Sequence, residues 1–280
     1  MIIDTHVHIW EIDPPKYPVG PTAPNFTSLP DEPATAAELI EDMDANGVDR
    51  TVAVQTSWST WDNGYIADSA QQYPDRIIGH GMIDPQDPEN ADKVRYWMQE
   101  RGLVGFRFHP FYYAAEKILL NPKNGPLWEE IAMREAVIQF HLKPEDADQV
   151  DSIARRFSHN FLLLDHMGYP DLDQGPGYFL PILELARHPR IIVKLSDIAG
   201  RSKEPFPYTD VHPYIRSLVD AFGAERCMWG TGYPGHHRVK HNWLPLDQEL
   251  RLIREGLPFL KTDQIDCILG TTAARVWQLT

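Results

Sequence analysis

Eight short apolar runs recur along the chain, and this repetition constrains the fold more than any other feature. The segments between several of them have helical periodicity, and Gly47, Gly102 and Gly223 stand where glycines commonly end helices. Because parallel neighbours need a crossover connection, alternating strands and helices predict a parallel sheet. Eight such units in about 250 residues predict a (β/α)8 TIM barrel. The predicted strands are residues 2–7, 51–54, 77–83, 103–108, 136–140, 161–164, 191–195 and 227–229, with clear helices predicted at 34–46, 88–100, 146–157 and 211–222.

The main competing architecture is a doubly wound open sheet, whose sequence signal is a Gly-rich phosphate loop after the first strand. No such loop follows the first predicted strand here. Residues 11–33 are instead rich in proline, which predicts a stiff excursion that either covers the strand ends or contacts another subunit in a homodimer. We therefore expect residues 1–280 to form a single TIM-barrel domain with a proline-rich insertion at residues 11–33.

Composition narrows the class of protein. The 280 residues carry a formal net charge of -14, which argues against a nucleic-acid surface but allows a small anionic substrate in a locally cationic cleft. No window is apolar over the roughly 18 residues of a membrane span, and the N-terminus does not have the pattern of a secretory signal. Two cysteines, Cys227 and Cys267, are too few for a disulfide framework. These features predict a cytoplasmic protein with a small-molecule substrate, and no nucleic-acid or membrane partner.

The first predicted strand ends in a His-x-His pattern. His6 and His8 are two residues apart on an extended chain, so both imidazoles point to the same side. Alone, the pattern fits two solvated polar residues as well as a metal site, because zinc needs about four ligands. Other predicted strands also end in polar or aromatic residues. These are Gln55 and Trp58, Asp84, Arg107 and His109, His141, Asp165 and His166, and Lys194, Ser196 and Asp197, whereas His80, His159 and His188 are expected at the surface or at helix ends.

Taken in order, these strand-end blocks resemble the amidohydrolase superfamily. The matching blocks are residues 4–8, 54–55, 81–88, 105–108, 164–168, 193–196 and 229–234. The pattern is most similar to the amidohydrolase-related (amidohydrolase 2) branch, which includes lactonases that act on sugar lactones and pyrone dicarboxylate lactones. The resemblance implies a distorted (β/α)8 barrel and hydrolysis by an activated water. In metal-dependent members, His6 and His8 would be ligands, with a histidine after strand five or six and an aspartate after strand eight.

The block after strand eight departs from this pattern. Gly232 stands where the family usually has an aspartate that acts as general base and frequent metal ligand, and glycine can do neither. Three interpretations remain open. His6, His8 and His141 hold a divalent metal, predicted to be zinc, which lowers the pKa of a water toward about 7, with His166 and Asp165 completing proton transfer. In the second interpretation, catalysis is metal-independent, and His6, His8 and Arg107 polarise the carbonyl while a histidine activates water. In the third, hydrolysis has been replaced by lyase chemistry or by small-molecule binding.

The remaining predicted site residues indicate which class of substrate the site would bind. A guanidinium suits a bidentate contact with a carboxylate, so Arg107 is predicted to clamp one, and His109 is expected on the same side of the chain. Aromatic residues just beyond strand ends would wall the cleft and favour a flat or cyclic organic substrate. The sequence thus predicts a hydrolase of a carboxylate-bearing lactone. Its predicted catalytic residues are His166, Arg107, Asp165 and His109, and its substrate-binding residues are Arg107, Gln55, Trp58, Tyr112, Ser196 and Tyr233.

Overall fold

The computed structural model describes residues 1–20, 30–59, 61–113, 116–240 and 243–280. Eight parallel strands form one sheet in which each strand pairs with the next along the chain, so the predicted barrel is confirmed. A sequential order of this kind excludes the doubly wound sheet, in which the strand order reverses. Every predicted strand is present, with bounds within two residues of those expected. The strands are β1 (Ile3–Val7), β2 (Arg50–Val54), β3 (Ile77–Met82), β4 (Gly105–Phe108), β5 (Val137–Phe140), β6 (Leu162–Leu164), β7 (Ile191–Leu195) and β8 (Cys227–Trp229).

Side chains, rather than a backbone ladder, join the first strand to the last. Thr5 Oγ1 donates to the Trp229 carbonyl at 2.6 Å, and the Asp4 carboxylate accepts from the Thr231 amide at 3.0 Å and from the Thr231 hydroxyl at 2.5 Å. The backbone pairing recorded for the described strands runs from β1 to β8 with no β8–β1 ladder. The barrel is therefore distorted at this seam, as the family resemblance implies.

Helices connect the strands on the outside of the sheet. Thr35 begins α1 with a capping box to Glu38, and Gly47 ends the same helix in the left-handed conformation, at φ +69°. The four helices predicted from sequence are confirmed as α1, α3, α5 and α8. The α-helices are α1 (Ala36–Asn46), α2 (Gly64–Gln72), α3 (Asn90–Gln99), α4 (Gly125–Met133), α5 (Ala147–Arg156), α6 (Gly175–Glu184), α7 (Ile198–Arg201), α8 (His212–Phe222), α9 (His237–Lys240), α10 (Leu246–Arg251), α11 (Thr262–Asp266) and α12 (Thr272–Val276).

Polar side chains pair with one another inside the barrel. The expectation that His80 lies at the surface or at a helix end is wrong, because it belongs to β3 and is fully buried. Its Nδ1 lies 2.9 Å from Oε1 of Gln139 on β5, and its Nε2 accepts from the Trp277 indole at 3.1 Å. Buried polar groups need such partners, and these bonds offset the cost of burying the imidazole.

The proline-rich insertion is anchored beside the carboxyl ends of β1 and β2. Trp10 and Ala34 pair as an antiparallel bridge, and the Gly20 amide donates to the Trp58 carbonyl at 3.0 Å. Residues 21–29 of the insertion lie outside the described residues. The two roles predicted for it, a cover over the strand ends and a dimer contact, stay predictions. Within the described part of the chain, no helix has the length and apolar character needed to cross a membrane.

Candidate active site

The histidines of the His-x-His pattern face each other at the end of β1. The Nε2 atoms of His6 and His8 lie 3.3 Å apart. Nδ1 of His8 lies 2.8 Å from the Val54 carbonyl, which can only accept, so this nitrogen carries the proton. Nδ1 of His6 lies 3.3 Å from a carboxylate oxygen of Asp165, which likewise favours a proton on Nδ1. Both Nε2 atoms then present lone pairs to the same point, an arrangement that a cation between them would satisfy.

Asp165, which follows β6, is the buried anion of the site. Arg107 Nε donates to it at 2.8 Å, Gln139 donates at 2.8 Å, and Lys194 Nζ lies 3.6 Å away. Burial alone would raise the pKa of the Asp165 carboxyl, but Arg107, His6 and Lys194 hold it well below its usual range. Asp165 is therefore ionised, and its oxygens already have partners.

Arg107 also fixes the protonation of His166. Nη2 of Arg107 lies 3.3 Å from Nε2 of His166, and because a guanidinium can only donate, Nε2 is the acceptor. Nδ1 of His166 then donates to the Ser196 hydroxyl, 3.0 Å away. Burial, reinforced by Arg107 against the opposing charge of Asp165, lowers the pKa of His166 to about 3. The imidazole is therefore neutral at physiological pH.

The loop that carries His166 has an unusual backbone. His166, Met167, Gly168 and Tyr169 are consecutive residues with φ between +49° and +71°. Left-handed conformations cost energy for residues other than glycine and cluster at functional sites. The short apolar strand β6 thus ends in a strained turn that holds the imidazole beside Arg107.

A cavity of about 220 Å³ opens at the carboxyl ends of the strands, where active sites of TIM barrels lie. Its wall combines one guanidinium, three imidazoles, one carboxylate and several aromatic rings. The rings of Trp58 and Tyr233 lie parallel within 3°, with centroids 6.5 Å apart. Such a wall suits a small, flat and polar ligand. The lining residues are His8, Thr56, Ser57, Trp58, Arg107, Tyr112, His141, His166, Tyr169, Asp197, Tyr233 and Trp243.

The structure divides the predicted site residues into two groups. Seven of them line the cavity: His8, Trp58, Arg107, Tyr112, His141, His166 and Tyr233. His6, Asp165 and Ser196 lie behind this wall and contact its members. The Gln55 amide donates to the Asp62 carbonyl at 2.5 Å and accepts from the Thr56 amide at 2.9 Å, so both of its ends support the loop after β2. The substrate contacts predicted for Gln55 and Ser196 stay predictions.

His109 and His141 pack against each other with their rings 5.1 Å apart and edge-on. None of their four ring nitrogens has a hydrogen-bond partner among the described residues, although all four are buried. Burial is the largest cause that lowers the pKa of both imidazoles well below the usual value, so both are neutral. A buried neutral imidazole without a partner has a free lone pair, which is what a ligand for a divalent metal or a polar substrate requires.

The donor atoms brought together differ in part from the predicted metal set. His6, Asp165 and His166 offer ligand atoms that all lie within 4.8 Å of one another. The predicted set of His6, His8 and His141 includes the pair whose Nε2 atoms face each other. His166 is the histidine after strand six, which the family resemblance allowed in place of the histidine after strand five. The imidazoles of His6 and His8 fit a divalent ion, whereas the Asp165 oxygens are already bound to cationic side chains and Nε2 of His166 accepts from Arg107.

Several residues lie at the cavity or behind its wall in positions that the sequence did not predict. The sequence identified Asp197 only as a polar residue after strand seven, and it assigned no role to Tyr169. Trp243 lies in the segment beyond β8, where no strand-end rule applies. Gln139 looked like an ordinary strand residue, yet its amide joins Asp165 to His80. Only the three-dimensional arrangement relates these positions to the cavity.

Comparisons with known proteins agree with this architecture. The family described as Amidohydrolase matches residues 3–279. The sequence is 28% identical over 260 residues to a 4-sulfomuconolactone hydrolase from Hydrogenophaga intermedia, covering 88% of this chain and 79% of the relative. It is 25% identical over 257 residues to an L-fucono-1,5-lactonase from Burkholderia ambifaria, covering 86% of this chain and 85% of the relative.

Solved structures share the barrel. A probable 2-pyrone-4,6-dicarboxylic acid hydrolase from Acinetobacter baumannii with citric acid bound has a TM-score of 0.81 at 20% identity, covering 99% of both chains. An amidohydrolase from Burkholderia multivorans with bound zinc has a TM-score of 0.79 at 20% identity, covering 100% of both chains. At these identities the solved structures establish the fold alone.

Proposed function

The chain belongs to the amidohydrolase family, and we propose that it hydrolyses the ester bond of a lactone, with water as the nucleophile. The observation that carries this proposal is the cavity wall, where the guanidinium of Arg107 lies among neutral imidazoles and aromatic rings. The two sequence relatives, whose names describe them as lactone hydrolases, support the same bond type.

Arg107 is proposed to bind the oxygen that becomes negative during hydrolysis. Asp165 holds Nε at 2.8 Å and His166 holds Nη2 at 3.3 Å, so the guanidinium is fixed before substrate binds. A preorganised donor in a site from which water is excluded stabilises developing charge without reorganising. The same group could instead clamp a substrate carboxylate, in a bidentate geometry. Each role needs Arg107 at the cavity wall, where it lies.

We further infer that a divalent metal, with zinc as the first candidate, binds at His6 and His8, together with His141, whose ring nitrogens have no hydrogen-bond partner among the described residues. The facing Nε2 atoms of His6 and His8 support this inference. Such an ion would act as a Lewis acid on the lactone carbonyl. The protein's own contribution is to orient the imidazoles, through Asp165 behind His6 and the Val54 carbonyl behind His8.

A screen of lactones tests the reaction. We expect ring opening, with release of one proton per turnover, for a carboxylate-bearing lactone and slower turnover for its methyl ester. Release of CO₂ or a change in substrate unsaturation without ring opening would indicate a lyase. Saturable binding of cyclic acids without any turnover would indicate a binding protein, and either result would overturn the proposal.

Elemental analysis of protein purified without chelator tests the metal. We expect a near-stoichiometric divalent ion that is lost in His8→Ala and retained in the control His159→Ala, because His159 is exposed and precedes β6, at the opposite end of that strand from the site. Substoichiometric metal that does not rise on adding zinc would contradict the inference and favour metal-independent catalysis.

A further inference from the structure

The space beyond β8 is filled by an indole instead of a carboxylate. A Cβ at Gly232 would lie 2.6 Å from Cζ3 of Trp243, and the indole packs edge-on against Tyr233 with ring centroids 5.4 Å apart. Trp243 also lines the cavity. An aspartate at position 232 could not be accommodated unless this indole moved. The glycine at position 232 and the position of the Trp243 indole therefore depend on each other.

A different carboxylate reaches the same cavity. Asp197 follows β7, the strand that pairs with β8, and it is the only carboxylate among the described residues that line the cavity. Its side chain is 13% exposed. Asp165, another acid at this end of the barrel, lies behind the wall, and its oxygens are bound by Arg107, Gln139 and Lys194. Asp197 is therefore the acid placed to contact a bound molecule.

The local backbone is built around this carboxylate. Asp197 has φ +56°, a left-handed conformation that aspartate and asparagine tolerate better than most residues. A Cβ at Gly200 would lie 2.0 Å from Oδ1 of Asp197, so a larger residue there would displace the carboxylate. The left-handed backbone at Asp197 and the absence of a side chain at Gly200 thus fix where the Asp197 oxygens lie.

The charges around Asp197 suit an acid that exchanges a proton. Nη2 of Arg201 lies 2.9 Å from Oδ2, and its guanidinium lies 4.1 Å from the centroid of the Tyr169 ring. The Asp197 charge also acts on Tyr233 and Glu249, and the titratable groups of Arg107, His8, His141 and His166 face the same cavity. Burial raises the pKa of Asp197 above its usual value, and the Arg201 charge opposes part of that rise. A carboxylate with a raised pKa is a stronger base.

We propose that Asp197 is the general base of the reaction, in place of a carboxylate after β8. This proposal rests on the proposed lactone hydrolysis. The water oxygen forms a bond to the lactone carbonyl carbon while one water proton passes to Asp197, and the carbonyl electron pair moves to the oxygen held by Arg107. Collapse of the tetrahedral species breaks the ring C–O bond, and the ring oxygen takes the proton back from Asp197. The product is a hydroxy acid, and no further reactant is needed.

The variant Asp197→Asn tests the base directly. Asparagine is nearly isosteric and accepts the left-handed backbone, so we expect an unchanged fold and a kcat about 10²- to 10⁴-fold lower, without the acidic limb of the kcat/KM profile. The control Asp247→Asn removes an exposed carboxylate on α10 and should leave turnover unchanged. If the wild type is active and Asp197→Asn keeps a kcat within about threefold of the wild-type value, with its own acidic limb intact, the base role alone is overturned. Absence of lactone turnover in the wild type would overturn both proposals.

The variant Arg201→Gln separates a base from an ion-pair partner. If Asp197 serves only to pair with Arg201, then Arg201→Gln should lose as much turnover as Asp197→Asn. If Asp197 is the base, Arg201→Gln keeps most of kcat, and its acidic limb moves to higher pH because loss of the neighbouring cation raises the pKa of the carboxyl. This profile tests the proposal even if Asp197→Asn does not fold, since an unmoved acidic limb would contradict it.

Discussion

Individual residues at the barrel centre give a positive site in a strongly negative chain. Burial lowers the pKa of Lys194 to about 8, so it is still protonated at neutral pH, and Arg107 is cationic as well. These two charges lie beside the ionised Asp165 among neutral histidines, while the other carboxylate of the site, Asp197, is paired with Arg201. The local excess of positive charge suits an anionic substrate, although the chain as a whole carries -14.

Arg107 serves both catalysis and stability, and two substitutions separate these roles. Arg107→Lys keeps a cation beside Asp165 but loses the planar fork, so we expect kcat/KM for the lactone to fall about 10²-fold with a small change in stability. Arg107→Met removes one of the cations that stabilise the buried charge of Asp165, so the free energy of unfolding should fall by about 3 kcal/mol. Steady-state kinetics and denaturant unfolding measure the two effects.

Arg155→Met is the matched control, because Arg155 forms an exposed ion pair with Asp151 on α5. Exposed pairs contribute little, so the free energy of unfolding should change by less than about 1 kcal/mol and turnover should not change. If Arg107→Lys retained wild-type kcat/KM, the predicted substrate contact of Arg107 would be wrong.

At the scale of elements, the sequence predicted where polar residues converge but not which of them reach the cavity. Strand direction and a period of two place His8, Arg107 and His166 at the same rim, because parallel strands end together. Whether a rim residue faces ligand or supports a neighbour depends on partners from distant segments, as Gln55 and Ser196 illustrate. Trp243 contacts Gly232 from a segment whose position no local pattern indicates. That contact could be found only in three dimensions.

The end of α1 provides a prediction about a helix signal that was visible in the sequence. Gly47 has φ +69° and open space around it, so Gly47→Ala should lower the free energy of unfolding by about 1 kcal/mol through backbone strain alone. Gly177, on α6, also has open space but lacks a positive φ. Gly177→Ala should therefore stabilise the protein by up to about 1 kcal/mol. Equal effects of the two substitutions, measured by denaturant unfolding, would show that the left-handed cap is unimportant.

For the whole molecule, the seam between β1 and β8 decides how the barrel closes. Seven adjacent strand pairs form backbone ladders, whereas this junction depends on side chains from both ends of the chain. The same junction contributes residues to the site. His6 and His8 follow Asp4 on one side of the junction, and Gly232 follows Thr231 on the other. The His8 amide donates to the Gly232 carbonyl at 2.7 Å. Closure of the barrel and placement of the histidines are thus parts of one arrangement.

A double-mutant cycle on Asp4 and Thr231 tests this view of the seam. The Thr231 hydroxyl donates to the buried Asp4 carboxylate at 2.5 Å, so Asp4→Asn and Thr231→Val should each lower the free energy of unfolding by about 1–3 kcal/mol. Because both remove the same bond, their combined effect should fall short of the sum by about 1 kcal/mol or more. Thr231→Val combined with Asp148→Asn, an exposed position on α5 across the barrel, should be additive within about 0.5 kcal/mol. Additivity in the Asp4 cycle would mean that this contact does not hold the seam, and closure would then depend on Thr5 and the backbone contact of His8.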